Sequence, residues 1–312
     1  MADSIPVITG ATATGKTAAA VALARLMDGE VISMDSRQVY AGMDIGTAKP
    51  TLAERRGVPH HGFDVVAPHE RYSAGRFARD ARQWIAEIRA RNRTPILAGG
   101  TGFFLRALME PLFEEPLMDT DRRERLKAWL AVWPVDELAR WADALERAGV
   151  MDAAPGDRQR LARRIEIALL TGRPLSRWQR EAAAREPGLP LRVFVLDVPV
   201  EILDERIDAR VHDMIAAGLV EEVEALATRG MRAGAPGMSA TGYSEILDHL
   251  AAGSTIEEAV ARIQLATRQY ARRQRTWLRG QLPAAVRLDA TRAPGEVAAD
   301  IIERLATREA GV

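Results

Sequence analysis

The chain has 312 residues, 43 basic against 43 acidic side chains, and no cysteine. That balance excludes a protein that is cationic overall, so any nucleic-acid surface has to be local. The missing cysteine excludes disulfides and every cysteine-based zinc or iron–sulfur site. With 47% apolar residues there is enough chain to bury a large domain, or a core carrying an insert. No apolar run of about 18 residues is present, and a strand begins by Ile5, leaving no room for a signal peptide. A soluble, cytoplasmic protein is expected.

Taken in chain order, Ile5, Val7 and Ile8 predict a buried strand. It runs into Gly10-Ala11-Thr12-Ala13-Thr14-Gly15-Lys16-Thr17 and then into an Ala/Leu/Val-rich helix over 18–27. Strand, loop and helix in this order are the context a G-x-x-x-x-G-K-[ST] phosphate-binding loop requires. Its glycines let the backbone wrap an anion, and loop amides and the helix N-terminus point partial positive charge at it. Lys16 adds a point charge, and the Thr17 hydroxyl is placed to hold Mg²⁺. Lysine occurs only at 16, 49 and 127, every other basic position being arginine, so a compact ammonium is expected to matter where it is kept.

A second strand over 30–34 ends on Asp35-Ser36-Arg37-Gln38-Val39-Tyr40. Ligands of open α/β sheets bind at carboxyl ends of strands, which sets Asp35 near the phosphate loop; a turn-capping role is the alternative. His60-His61 reads as a structural loop rather than a metal site, because adjacent side chains do not converge on one ion. Phe77, Ala81, Trp84, Ile85 and Ile88 mark an amphipathic helix over 72–91, followed by a strand over 95–98 ending on Gly99-Gly100-Thr101-Gly102. An acid that would hold Mg²⁺ through water is missing there; glycines and a hydroxyl stand in its place.

Composition shifts near Pro111 to Pro116, and from Asp119 to about Glu186 only helical patterns follow, three or four of them. In one, Arg158, Arg160 and Arg163 lie opposite Leu161, Ile165, Ala168 and Leu169; the arginines are either a solvated face or an RNA face. Strand pattern resumes over 191–196, so 112–189 reads as an insertion into a core made of 1–111 and 190–312. Arg206 and Arg210 share a face of the helix that begins at Val200. Gly242-Tyr243 marks a turn. A long helix from Thr255 carries Arg272, Arg273 and Arg275 between Tyr270 and Trp277, a pattern suited to a phosphate backbone and stacked bases. A last strand is expected over 286–289 and a closing helix over 295–308.

These features alone describe a nucleotide-binding loop fold: a small-molecule or nucleotide kinase using ATP, or a non-catalytic RNA-binding protein. The series G-x-T-A-[ST]-G-K-T (10–17), D-S-x-Q-V-Y (35–40), M-D-I-G-T-A-K-P (43–50), G-G-T (99–101), D-x-Q-R-L-x-R (157–163), G-Y-x-E (242–245) and T-R-Q-Y-A-x-R-Q-x-T-W-L-R (267–279) resembles the tRNA dimethylallyltransferase family over nearly the whole chain, with the pattern's second loop residue read here as Ala11 where the family usually has Pro. Thr241 stands where Ile is common. The resemblance implies a P-loop NTPase-like parallel sheet with a helical insertion, and transfer of a dimethylallyl group from its diphosphate to N6 of the adenosine 3′ of a tRNA anticodon. It implies diphosphate at Gly10 to Thr17, Mg²⁺ on Thr17, Asp35 as base, and Thr101 and Arg210 in support. It implies tRNA contacts at Asp35, Ser36, Arg37, Gln38, Thr101, Arg123, Gln159, Arg160, Leu161, Ala162, Arg163, Gly242, Tyr243, Arg272, Arg273 and Arg275, and a monomer. Arg206 stays open between a diphosphate contact and surface charge.

Overall fold

Parallel strands packed on both faces have to be apolar along their whole length, and the central strand here is. In a computed structural model that describes residues 4–110, 112, 118–146, 157–185 and 187–307, β1 (Ile5–Gly10) is buried at every position. The other strands are β2 (Gly29–Ser33), β3 (His60–His61), β4 (Thr94–Ala98), β5 (Leu191–Asp197) and β6 (Val286–Asp289). All pair in parallel in the order β3-β2-β4-β1-β5-β6. β1 thus lies between β4 (Val7 opposite Leu97) and β5 (Ile8 opposite Phe194), so its carboxyl end is where the two halves of the sheet meet.

Helices cover the sheet. α1 (Lys16–Leu26) buries Ala19, Ala20, Val21, Leu23 and Ala24, mostly small side chains that bring it close to the strands. α2 (Leu52–Arg55) is a single turn, closed by a Thr51–Glu54 capping box. α3 (Ala74–Ala90) starts on Ser73, whose hydroxyl accepts from Arg76 N–H, and buries Phe77, Ala81, Ile85 and Ile88 as one stripe. Phe77 stacks on Phe104 of α4 (Gly102–Met109), centroids 4.3 Å apart.

The chain divides into two units, Met1–Met109 with Leu189–Val312, and Glu110–Gly188. Sequence pattern set the insertion at 112–189; the composition change read near Pro111 to Pro116 lies outside the described residues, Leu112 apart. The second unit contains α5 (Thr120–Ala131), α6 (Val135–Glu146), α7 (Arg158–Thr171) and α8 (Leu175–Arg185). Asp119 and Asp157 cap α5 and α7, accepting from Arg122 and Arg160 N–H. Leu130, Leu138, Ala142, Leu161 and Ile165 form its core, edged by Trp133 and Trp141. Leu169, expected on the buried face of α7, is exposed, because eight residues beyond Leu161 a helix has turned by roughly 80°.

The first unit continues through α9 (Val200–Ala216), α10 (Leu219–Thr228), α11 (Tyr243–Ala252), α12 (Ile256–Gln281) and α13 (Pro294–Ala306). A capping box between Thr255 and Glu258 starts α12, the longest of them. His60 and His61 form the edge strand β3 rather than a loop. The backbone pairs Val31 with His60, and His61 Nε2 lies 2.6 Å from the buried Glu30 carboxylate, which Arg91 also holds. These bonds, led by Arg91, keep Glu30 below the ordinary glutamate range. No group of three or more metal-ligating His, Cys, Asp or Glu side chains occurs among the described residues. No described helix is long and apolar enough to cross a membrane.

Candidate active site

The loop after β1 folds around one carbonyl. Ala11 O accepts from Thr14 N–H at 3.4 Å, Thr14 Oγ1 at 2.9 Å and Lys16 Nζ at 2.6 Å. Gly10 is required: a Cβ there would sit 2.6 Å from Leu196 O. Ala13 and Gly15 both have positive φ (63° and 86°), and the first is strained for a residue with a side chain. Thr17 is exposed, and its hydroxyl makes no hydrogen bond among the described residues. Burial pushes the Lys16 ammonium down to about 8; Asp35 opposes that shift and Arg210 adds to it. Lysine, carboxylate and arginine are therefore within electrostatic reach of each other.

Asp35 stands directly beyond β2. One oxygen, Oδ1, accepts from Arg37 N–H at 2.8 Å, while Oδ2 takes no hydrogen bond among the described residues. The turn-capping alternative thus accounts for half of the carboxylate and leaves half for chemistry. Thr101 Oγ1 accepts from Ser36 N–H at 3.0 Å and contacts Ser36 Oγ at 3.3 Å, tying the end of β4 to the residue beside Asp35. Gly99 permits that approach, since a Cβ would lie 2.0 Å from Met34 O. Arg210, on α9, is held below the ordinary arginine value by burial, against the pull of Glu54, Asp213 and Asp35.

Helix α12 closes the site along one face. Tyr270 lies beside Thr101 and Asp35; burial pushes its phenol up to about 12, with Asp35 adding to the rise, so it is protonated at neutral pH. Gln274, 8% exposed, accepts from Thr12 N–H at 2.8 Å and donates to Gly100 O at 2.9 Å. Trp277 lies over Gly102, where a Cβ would be 2.5 Å from its ring. Tyr270 and Trp277 are thus half-buried against the protein rather than fully exposed as a stacking surface. Arg272 and Arg273 are exposed, and the Arg273 guanidinium lies over the Tyr270 ring, 5.9 Å from its centroid.

The other expected contacts divide between side chains that the protein itself engages and side chains left exposed. Arg37 donates to Pro236 O and Ser239 Oγ, each at 3.1 Å, and Gln38 ties Ser33 to the Thr47 and Ala48 carbonyls. Tyr243 is fully buried with its hydroxyl on Glu222, and Leu161 is a core residue of the second unit; neither side chain is available to tRNA. Arg275 spends its guanidinium on Val198 O and Asp197. Arg206 donates to Ala290 O from both terminal nitrogens, each at 3.3 Å. In the second unit Arg123 and Arg163 converge on buried Glu166, Arg158 caps carbonyls of Leu130, Ala131 and Trp133, Ala162 packs on the core, and Gln159 and Arg160 are exposed. Gly242 N–H is taken by Glu245.

Sequence reasoning left the roles of three supports unassigned. Glu222 accepts from Asp44, Ile45 and Gly46 N–H (2.8, 2.9 and 3.2 Å) and from Tyr243, fixing the 43–50 segment. Lys49 is buried between Asp44, Asp64 and Tyr40 O. Gln274 was visible as a polar residue four positions from Tyr270 and three from Trp277, hence on their face.

A parallel sheet with this loop at its central strand, a carboxylate at the next strand end and a late helix supplying an arginine defines a P-loop NTPase-like transferase core. The model of the IPP transferase family matches residues 38–281, and that of isopentenyl transferase residues 3–61. The tRNA dimethylallyltransferase of Halorhodospira halophila is 45% identical over 278 residues, 88% of this chain and 89% of the relative. The solved full-length tRNA isopentenylpyrophosphate transferase of Bacillus halodurans is 34% identical, with a TM-score of 0.71 over 99% of this chain and 98% of that one. A eukaryotic dimethylallyltransferase acting on tRNA is 28% identical, with a TM-score of 0.76 over 93% and 74%. The chain belongs to the tRNA dimethylallyltransferase family.

Proposed function

We propose that this enzyme transfers a dimethylallyl group from dimethylallyl diphosphate to the exocyclic N6 of the adenosine 3′ of a tRNA anticodon. The observation that carries the reading is the mutual electrostatic reach of Lys16, Arg210 and Asp35 beyond the sheet: two cations for a departing diphosphate and one half-free carboxylate for an acceptor. As the allylic C–O bond breaks, negative charge grows on the diphosphate, and Lys16 and Arg210 stabilise it more than they stabilise the bound substrate. N6 forms the new C–N bond and gives its proton to Asp35 Oδ2. The amine's lone pair is delocalised into the ring, so an oriented acceptor matters. Tyr270 and Thr101 hold the Asp35 side of the site, and the adenosine has to leave its stack to reach it.

The donor set also suits Mg²⁺. Thr17 offers an exposed, uncommitted hydroxyl, and hard oxygen from diphosphate and water would complete the shell. When bound, the ion would neutralise leaving-group charge. Exposed Arg272 and Arg273 of the first unit, and Gln159 and Arg160 of the second, are the proposed phosphate-backbone contacts. The reading sets the enzyme in the cytoplasm with its tRNA, and one chain carries every group the chemistry uses. Incubation with unmodified tRNA, dimethylallyl diphosphate and Mg²⁺, followed by nucleoside mass analysis, should give a prenylated adenosine. No modified nucleoside, or phosphoryl transfer from ATP instead, would overturn the reading.

A further inference from the structure

Among the described buried polar side chains of the first unit, Gln274 alone joins the phosphate loop to the strand-end loop on the acceptor side. Its Oε1 takes the Thr12 amide, one of the loop's own N–H groups, and its Nε2 donates to Gly100 O. Both partners are backbone, and the second lies where there is no slack. Gly100 has room for no Cβ, which would meet Gln274 Nε2 at 2.5 Å and Gly10 O at 3.2 Å. The next residue, Thr101, holds Ser36, and Ser36 adjoins Asp35. A continuous series of bonds thus runs from the loop that would hold the diphosphate, through one side-chain amide, to the carboxylate that would take the N6 proton.

We infer that Gln274 is a positioning residue for prenyl transfer, fixing the distance between the leaving-group loop and the acceptor side of the site. The inference rests on the proposed function. Gln274 touches neither substrate; it acts through the Thr12 amide and the Gly100 carbonyl. An amide is needed for this, because one end must accept and the other donate. Methionine of similar length does neither. Glutamate accepts from Thr12 but, ionised, sets a second acceptor against Gly100 O; protonated, it can again do both. Its pKa would be raised by burial and by that carbonyl.

The test compares single-turnover prenylation at saturating tRNA and dimethylallyl diphosphate in wild type, Gln274→Met and Gln274→Glu, each checked for thermal melting. Gln274→Met should lose roughly 10–10²-fold in rate, the order expected for a misplaced reacting group, while its KM for tRNA changes less than about threefold. Gln274→Glu should be as slow at about pH 8, yet its rate relative to wild type should rise at least about fivefold by about pH 6. Groups that titrate in both proteins, Lys16 and Tyr270 among them, cancel in that ratio. A Gln274→Met enzyme within about twofold of wild type would overturn the inference. So would a Gln274→Glu ratio that is flat with pH, which is what simple loss of packing gives. If wild type itself transfers no prenyl group, the functional reading falls first and takes this inference with it.

Discussion

Lys16→Met should produce a protein that melts higher and works worse. The Lys16 ammonium is half-buried on the Ala11 carbonyl, and burial lowers its pKa from the ordinary 10.5 to about 8. Each pH unit of that difference is worth about 1.4 kcal/mol, so the charged lysine costs the folded state about 3 kcal/mol at neutral pH. Methionine removes the charge but also a hydrogen bond to Ala11 O, worth about 1 kcal/mol, which leaves a net gain of about 2 kcal/mol. The sign with pH follows from which state holds the proton. Between about 8 and 10.5 the unfolded lysine binds more protons than the folded one, so wild-type stability rises through that window. The advantage of the variant is therefore full below about pH 8 and gone above about 10.5. Denaturant unfolding of both proteins across this range reads it directly. Turnover should fall roughly 10²-fold or more, since the charge that burdens the free enzyme is what a leaving diphosphate requires. Equal melting at neutral pH, or an advantage that persists unchanged above pH 10.5, would refute the account of Lys16 as a buried charge awaiting an anion.

Asp35→Asn keeps an oxygen for Arg37 N–H, so stability should drop by less than about 1 kcal/mol while single-turnover prenylation falls roughly 10²–10⁴-fold; an active Asn variant would return Asp35 to a turn cap. Reversing Arg272 and Arg273 to Glu should weaken tRNA binding and reduce its salt slope by about 1–2, with affinity for dimethylallyl diphosphate unchanged; an unaltered slope in a salt titration would leave these residues as solvated charge. Glu222→Ala strips the acceptor from three backbone amides and a buried phenol, and should cost about 2–4 kcal/mol in denaturant melts. Adding Tyr243→Phe should then cost little more, because its partner is already gone; full additivity would show that the two do not act together.

The phosphate loop was legible because its geometry is local: glycines, lysine and threonine within eight residues fix both backbone and charge, and strand and helix periods flank them. The sheet was legible for a similar reason, each strand being a short apolar run followed by turn residues. β3 was not, since two histidines carry no apolar signal; what makes them a strand is the backbone of β2 and a buried acid thirty residues away.

Direction is the harder quantity. A motif gives the identity and spacing of residues but not which way a side chain points, and in α12 that decides the function. Tyr270 and Trp277, set among arginines, read as a surface for stacked bases, yet with Gln274 they occupy positions i, i+7 and i+4 on one side of the helix. That side also carries Ala271 and Leu278, both buried. Burial of a flanking alanine and leucine is what the arginine-rich composition concealed. Lysine usage gives the same lesson with a different outcome. Lys16 and Lys49 both set a compact ammonium on oxygen acceptors, but Lys49 fills a cage of three oxygens supplied by the chain itself. Lys16 has one carbonyl and an open side. The residue type announced a confined charge in both; only the count of oxygens already present separates a structural ammonium from one left to meet a diphosphate.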